Sequence, residues 1–323
     1  MLYIFEQKYF LSEYILEGLT PSNDIRVIQY TKVKHKGIKN IILKIKKYIR
    51  AFIYNKRGLW LDELLPKNLL DSIANISEKD SVLFWGCENL KDIIILSKEI
   101  TCNKLNFYRW NPMRTKSLIG KLEFKYYTKK HNLNICTFDA DDAKAYSQTP
   151  VNQVFRQHTG GGNSNRMEFD IYFVGQDKNR ARIILPLSKL LKSQGISYKF
   201  QIQPDKHTKK IPLEFSESFI KENIPYSDVL KNIESCRCLL EILQEGQSGI
   251  SMRTLEALFF RKKIITNNKA IIEMPFYNKH NIYVLGQDEQ EWSIKEFLDC
   301  KMVEIPKERI NNYEINNWVE QFK

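Results

Sequence analysis

Short apolar runs alternate along the chain with stretches whose apolar residues recur every three or four positions. LYIF (2–5), SVLFWG (81–86), KLNFYRW (104–110) and NICTF (134–138) are rich in β-branched and aromatic side chains, and each predicts a strand. Between them, 90–100 and 115–130 carry helical periodicity. The pattern restarts with a strand at DIYFVG (170–175), a helix over IILPLSKLLKSQG (183–195) and a strand at YKFQIQ (198–203). It continues with a helix over SDVLKNIESC (227–236), capped by Ser227, and a strand at CLLEIL (238–243). A helix over TLEALFFRK (254–262) and strands at IIT (264–266) and NIYVL (281–285) follow. Strand and helix in alternation predict a parallel sheet covered by helices, here twice over. The stretch QHTGGGNSNRMEF (157–169) concentrates Gly, Asn and Ser and reads as the linker. The expected division is therefore an N-terminal domain over 1–156, the linker, a second domain over 170–310 and a terminal helix over 311–323. At 323 residues the chain suits two domains of about 150 residues each.

Composition and charge narrow this. The chain is 43% apolar and 12% aromatic, enough for two cores. No apolar run reaches the roughly 18 to 20 residues that span a bilayer. The opening MLYIFEQKYFLSEYILEG carries acids where a signal peptide has positive charge, so it is expected to be part of the fold and the protein to be cytoplasmic. Cys87, Cys102, Cys136, Cys236, Cys238 and Cys300 are scattered, and the single C-x-C has no second pair at zinc-finger spacing. Reduced, buried thiols are expected. The net charge of +12 is concentrated: from Ile25 to Leu61 there is no acid, against eleven Lys and Arg. Within that segment Ile38, Ile41, Ile42, Ile45, Ile49, Phe52 and Ile53 recur at helical spacing. Three readings stand: a core-packed helix with a solvated basic face, a surface for an anionic bilayer or lipid-linked acceptor, and a nucleic-acid site.

Candidate chemistry gathers in the second half. In parallel sheets ligands sit beyond the carboxyl ends of the strands, so the loops after Gly175, Leu243 and Thr266 belong on one rim. The stretch QSGISMRTLEALFFRKKIIT (247–266) puts Gln247, Ser248, Gly249 and Ser251 ahead of a helix, where free backbone N–H groups attract anions. Arg253 in the first turn can grip a phosphate, and Glu256, three residues on along the same face, can accept the two hydroxyls of a ribose. The same two residues also suit a plain i,i+3 ion pair, and Gly249 an ordinary turn. A second loop, FVGQDKNRAR (173–182), follows a strand with Gly175 and precedes a helix with Lys178, Arg180 and Arg182. Two such loops on one rim favour a diphosphate site. Neither carries G-x-G-x-x-G or G-x-x-x-x-G-K-[ST], which argues against dinucleotide oxidoreduction and P-loop hydrolysis.

With those residues in view, the C-terminal half resembles the donor-nucleotide domain of GT-B glycosyltransferases. FVGQDKNR, LLEILQEGQSGISMRTLEALF, RKKIITNN and TFDADDAKAY (137–146) are similar to the small bacterial enzymes that build lipopolysaccharide core, O-antigen or capsule. The likeness covers about 134–290 and is most specific at 238–268. It implies an α/β fold of two Rossmann-like domains in tandem with a cleft between them. It also implies transfer of a hexosyl or deoxyhexosyl group from a nucleotide-sugar to a lipopolysaccharide or other surface glycan, with no metal or other cofactor. By the family's pattern Glu256 binds the donor ribose, Arg253 and the 248–251 loop the diphosphate, and Lys178 or Arg180 the same phosphates. The implied partners are the donor, a glycan or glycolipid acceptor, and the inner face of the plasma membrane through the basic segment 32–57, with no nucleic acid. One departure is clear: the position eight before the helix glutamate, an acid in many retaining members, is Ser248, which leaves the stereochemical course open.

An inverting transferase needs a base for the acceptor hydroxyl. Glu88, just after SVLFWG, and Asp139, after NICTF, are the catalytic candidates. Asp139 and Asp141 also have D-x-D spacing, but they open the helix AKAYSQ, where acids favour the positive end of the dipole. Trp85, Tyr108 and Trp110 lie at strand ends, to stack on a sugar or to fill the core. INNWVEQF (315–322) reads as a short amphipathic helix of the kind that crosses back to the first domain in GT-B proteins. Two other readings are carried: a basic lipid- or nucleic-acid-binding protein with a degenerate nucleotide fold, and a transferase moving a phospho-alditol from a cytidine nucleotide.

Overall fold

The apolar runs become parallel strands in a computed structural model that describes residues 1–31, 33, 36–53, 56–87, 89–111, 126, 133–158, 167–206, 208, 211–244, 247 and 249–323. The first unit comprises Met1–Asn152 and Ile315–Lys323, the second Gln153–Glu314. In the first, β1 (Leu2–Gln7), β2 (Ile25–Tyr30), β3 (Ser81–Trp85), β4 (Lys104–Arg109), β5 (Asn134–Thr137) and β6 (Thr149–Pro150) form one sheet, ordered β2-β1-β3-β4-β5-β6. In the second, β7 (Phe169–Gln176), β8 (Tyr198–Gln203), β9 (Cys236–Glu241), β10 (Lys263–Thr266) and β11 (Ile282–Val284) are ordered β11-β10-β9-β7-β8. Every pairing is parallel. This is the expected α/β arrangement of two Rossmann-like units.

Parallel strands need crossover connections, and helices supply them. They are α1 (Phe10–Leu16), α2 (Ile38–Tyr48), α3 (Leu61–Leu64), α4 (Lys67–Ile73), α5 (Leu90–Glu99) and α6 (Ala140–Tyr146), then α7 (Ala181–Ser193), α8 (Tyr226–Glu234), α9 (Met252–Phe259), α10 (Ile294–Asp299) and α11 (Ile315–Trp318). Covered on both faces, the central strands are apolar almost throughout: Leu2, Ile4 and Phe5 of β1 and Val82, Leu83, Phe84 and Trp85 of β3 are fully buried.

The order of each sheet reverses once. In the first unit the chain moves from β1 out to β2 and returns to build β3 on the other side of β1; in the second it moves from β7 to β8 and returns with β9. The carboxyl ends of β1 and β3, and those of β7 and β9, therefore flank the point where crossovers diverge, which is where ligands sit in open parallel sheets.

Several expectations are corrected. The strand β2 was not expected; its alternating burial belongs to a sheet edge, and its sequence IRVIQY merges with the basic segment. The helix α8 starts at Tyr226 behind Pro225, with no side-chain cap, so Ser227 lies inside it, and Cys236 opens β9. Trp85 and Tyr108 are core residues, fully buried, with Trp85 stacked on Trp110 at 5.6 Å and both packed on Trp318 of α11. Sugar stacking by Trp85 and Tyr108 is therefore set aside. The isoleucines of α2 do not pack into the core either: Ile38, Ile41, Ile42 and Ile45 face solvent, while Lys47 and Arg50 are buried. Most of the expected helix over 115–130, and 159–166 within the expected linker, lie outside the described residues.

All six cysteines are free, and burial pushes the Cys87, Cys136 and Cys236 thiols up to about 12, so they stay protonated at neutral pH. Among the described residues no helix is long and apolar enough to cross a membrane, and no cluster of His, Cys, Asp or Glu has the makings of a metal site.

Candidate functional site

The carboxyl end of β7 carries the first loop. Gly175 is paired within β7, and the chain then turns through Lys178 and Asn179, both left-handed at φ 40° and 69°. That conformation costs a non-glycine residue on the order of 1 kcal/mol or more. Asp177 and Asp205 hold it. The buried Asp177 accepts the Arg180 N–H on its carbonyl at 2.6 Å and the Ala181 N–H on Oδ1 at 2.9 Å, which caps α7. Asp205 Oδ2 accepts the Lys178 N–H at 2.9 Å. The turn sends Arg180 back over the strand, where its Nη1 donates to the Gln176 carbonyl at 3.2 Å. A Cβ on Gly175 would stand 3.4 Å from that nitrogen, an ordinary contact distance, so the guanidinium lies directly against the glycine. Burial pulls Arg180 below the usual arginine range, Glu241 opposes this and Arg253 adds to it, while its buried Nε has no hydrogen-bond partner among the described residues. Lys178, exposed at the tip of the turn, is lowered by burial of its ammonium and by Arg180.

The second loop leaves β9, the neighbour of β7, at the same edge of the sheet. Its first support is Glu241, buried at the last position of the strand, a residue that sequence reasoning missed. Its Oε1 accepts from Ser251 Oγ and, at 2.7 Å, from Thr254 Oγ1, and its Oε2 accepts from Thr266 Oγ1 at 2.5 Å. One carboxylate thereby ties β9 to the start of α9 and to the end of β10. Asn267 adds a clamp, accepting the Leu243 N–H at 2.7 Å. Ser251 serves as N-cap, accepting the Arg253 N–H at 3.0 Å. Gln247 is half-buried and Gly249 buried in the bend before it; Ser248 lies outside the described residues.

From the first turn of α9, Arg253 reaches across to β7. Its Nη2 donates to the Val174 carbonyl at 3.3 Å, next to Gly175, and its Nη1 pairs with Glu256 Oε2 at 2.5 Å. The two loops of the sequence reading therefore meet, with Gly175, Arg180 and Arg253 together beside the β7/β9 switch point. The i,i+3 ion pair of Arg253 and Glu256 is present, and the guanidinium also faces the strand end. Glu256 is only 2% exposed, and its Oε1 accepts from Tyr226 Oη at 2.7 Å. Burial raises its pKa against the opposing pull of Arg253 and Tyr226. Tyr226 was not anticipated; nothing in NIPYSD marks it, since only the sheet order brings the start of α8 beside α9.

The first unit has its own polar cluster at its switch point. Glu6, fully buried in β1, accepts from Ser12 Oγ and from the Tyr9 N–H at 3.0 Å, and burial raises its pKa. Gly86, just past β3, has φ 66°, and a Cβ there would lie 3.1 Å from Ser12 Oγ, so both backbone and space call for glycine. Of the sequence-derived base candidates, Glu88 lies outside the described residues. Asp139 is fully buried at the N-cap of α6, where Oδ1 accepts the Asp142 N–H at 3.1 Å. Asp142 in turn pairs with Arg109 at 3.6 Å.

No protein-family model and no curated protein matches the chain. Solved structures do. "Trehalose-6-phosphate from E. coli bound with UDP-2-fluoro glucose" is 8% identical, with 99% of this chain and 97% of that one covered at a TM-score of 0.53. The "GtfA/B complex" is 9% identical and the "Glycosylation Associate Protein (Gap123) complex from Streptococcus agalactiae" 12% identical, both at a TM-score of 0.43. They cover 78% and 81% of this chain, which spans only 58% and 54% of theirs. The likeness to the E. coli structure, end to end on both chains, is one of fold, and it agrees with the GT-B-like pairing of parallel-sheet units that the sequence resemblance implied.

Proposed function

We propose that the protein is a glycosyltransferase that takes a hexosyl or deoxyhexosyl group from a nucleoside diphosphate sugar. The observation that carries this reading is the convergence of Arg180 and Arg253 on the end of β7, beside Gly175 and the switch point of the sheet. Departure of a nucleoside diphosphate breaks the bond from the anomeric carbon to phosphate oxygen and leaves negative charge there. Fixed cations stabilise that charge as it develops. Arg180, Arg253 and Lys178 supply it without calling on a metal. Glu256 Oε2 can accept a ribose hydroxyl while keeping its ion pair with Arg253 Nη1, and the other N–H groups of the guanidinium turn to the diphosphate. That the E. coli neighbour is described as bound to UDP-2-fluoro glucose supports a donor of this class.

For the acceptor hydroxyl's proton, Glu6 joins Glu88 and Asp139 as a candidate base, a carboxyl whose pKa burial raises above its ordinary value. The acceptor is, on this reading, a lipopolysaccharide or other bacterial surface glycan met at the inner face of the plasma membrane. The acid-free segment 25–61 supports it.

A thermal-shift screen with UDP, GDP, dTDP, CMP and CDP tests the donor site. The matching nucleotide at a hundred times its dissociation constant should stabilise the fold by about 2.7 kcal/mol. A shift with CMP and CDP alone favours the phospho-alditol transferase, and no shift with any nucleotide rejects both.

Binding should also be linked to protons. A diol held by Glu256 favours its ionised form, while burial favours the neutral one. Donor binding should therefore release a proton, and affinity should rise as pH climbs through the raised pKa and then level off. Calorimetry of the nucleotide-sugar in two buffers of different ionisation enthalpy measures this; uptake of a proton on binding contradicts the role of Glu256.

A further inference from the structure

The helix α2 buries Leu43 in the core but otherwise docks through charge. Towards its own unit it turns charge: Lys47 Nζ pairs with Asp92 at 2.8 Å, and Arg50, fully buried in the turn that follows, pairs with Glu99. Asp92 and Glu99 stand seven residues apart on one side of α5, which spaces them for these two cations. Lys98 Nζ, donating to the carbonyls of Arg50 and Ala51 at 2.9 and 2.8 Å, closes the end. Breaking such buried pairs is costly, so the orientation of the helix is strongly held.

Held this way, α2 presents its isoleucines outward. Ile38, Ile41, Ile42 and Ile45 are 76%, 58%, 47% and 54% exposed, and Tyr48 and Ile53 extend the stripe. At about 100° per residue, Ile38, Ile42 and Ile45 align with Ile41 and Tyr48 beside them, Lys39 and Lys46 run along one flank and Lys44 along the other. The described acid that meets these lysines is Glu63, 2.5 Å from Lys46. A soluble monomer rarely leaves a contiguous apolar stripe uncovered.

We propose that α2 lies in the plane of an anionic lipid bilayer, its isoleucines among the upper acyl chains and Lys39, Lys44 and Lys46 at the headgroup phosphates. The proposal deepens the membrane side of the function above and rests on that reading for the choice of leaflet. At eleven residues the helix is about 16 Å long, too short to span and suited to lying flat. Lysines on both flanks of an apolar stripe are the arrangement an anionic interface rewards. A second copy is the poorer occupant, because two identical stripes packed together bring lysine against lysine.

The test is co-sedimentation of the full chain with vesicles of phosphatidylcholine, with and without phosphatidylglycerol. The protein should bind only the anionic vesicles. Ile41→Asp and Ile45→Asp should each weaken binding at least about tenfold, and Lys39→Gln and Lys44→Gln about fivefold each. All four positions are exposed, so the nucleotide thermal shift should be unchanged and reports that the fold is intact. The proposal is overturned if the protein ignores anionic vesicles or if the aspartate variants bind as the parent does. It is equally overturned if sedimentation velocity finds a dimer that Ile45→Asp dissociates. Vesicle binding without any nucleotide shift keeps this inference and removes the transferase; a nucleotide shift without vesicle binding does the reverse.

Discussion

Arg253→Ala should lower kcat/KM for transfer by about a hundredfold or more, the usual loss when one preorganised donor to a developing charge is removed. The guanidinium spans the site, from the Val174 carbonyl to Glu256. On the proposed function, removing it withdraws a cation from the leaving diphosphate, and it also leaves a buried carboxylate without its counter-charge. The second effect is separable. Glu256 already has a raised pKa from burial, and losing Arg253, which opposes that shift, raises it further. A native pKa above the unfolded value means that the folded state binds more protons in the interval between them. Stability is then highest below the unfolded pKa and falls as pH rises through the native one. The alanine variant should thus lose more stability than the parent as pH rises from the ordinary carboxyl value of 4.5 through the raised native one. Adding Glu256→Gln removes the stranded charge and should cancel that pH dependence while transfer stays low. If the double variant folds normally and still gives the full nucleotide shift, Arg253 has no part in donor binding.

Glu241→Leu should destabilise the second unit by about 3 to 5 kcal/mol, because the hydroxyls of Ser251, Thr254 and Thr266 lose a charged acceptor inside the protein. For a unit of this size that corresponds to a fall in Tm of about 10 °C. The functional loss should exceed what lower stability alone produces. Ser251 caps α9 while donating to Glu241, so freeing its hydroxyl loosens the turn that presents Arg253. Glu241→Gln keeps one carbonyl acceptor and should fall between. Circular dichroism melts with nucleotide titrations below the transition separate the two effects, and a leucine variant within 1 kcal/mol of the parent would discount Glu241 as the support of this loop.

Period and composition were enough to read the alternation of strands and helices, because a strand buried on both faces must be apolar along its length and a covering helix must carry its stripe every third or fourth residue. The helix cap at Asp139 and the polar content of both loops were legible for the same reason, since the chemistry is local. The edge strand β2 was not legible, because IRVIQY passes into a basic run without a turn signal.

What the sequence determined by itself was which residue types gather at which strand ends: Gly175, Lys178 and Arg180 after one strand, Arg253 and Glu256 in the helix after another. Tertiary structure alone decided that β7 and β9 are neighbours, which carries Arg253 to Val174 and Tyr226 to Glu256 over separations of 79 and 30 residues. It also decided which side of α2 faces inward. An amphipathic pattern names two faces but not the partner for each, and here the carboxylates of α5, with Leu43 packed in the core, hold the helix and leave its isoleucines to the outside.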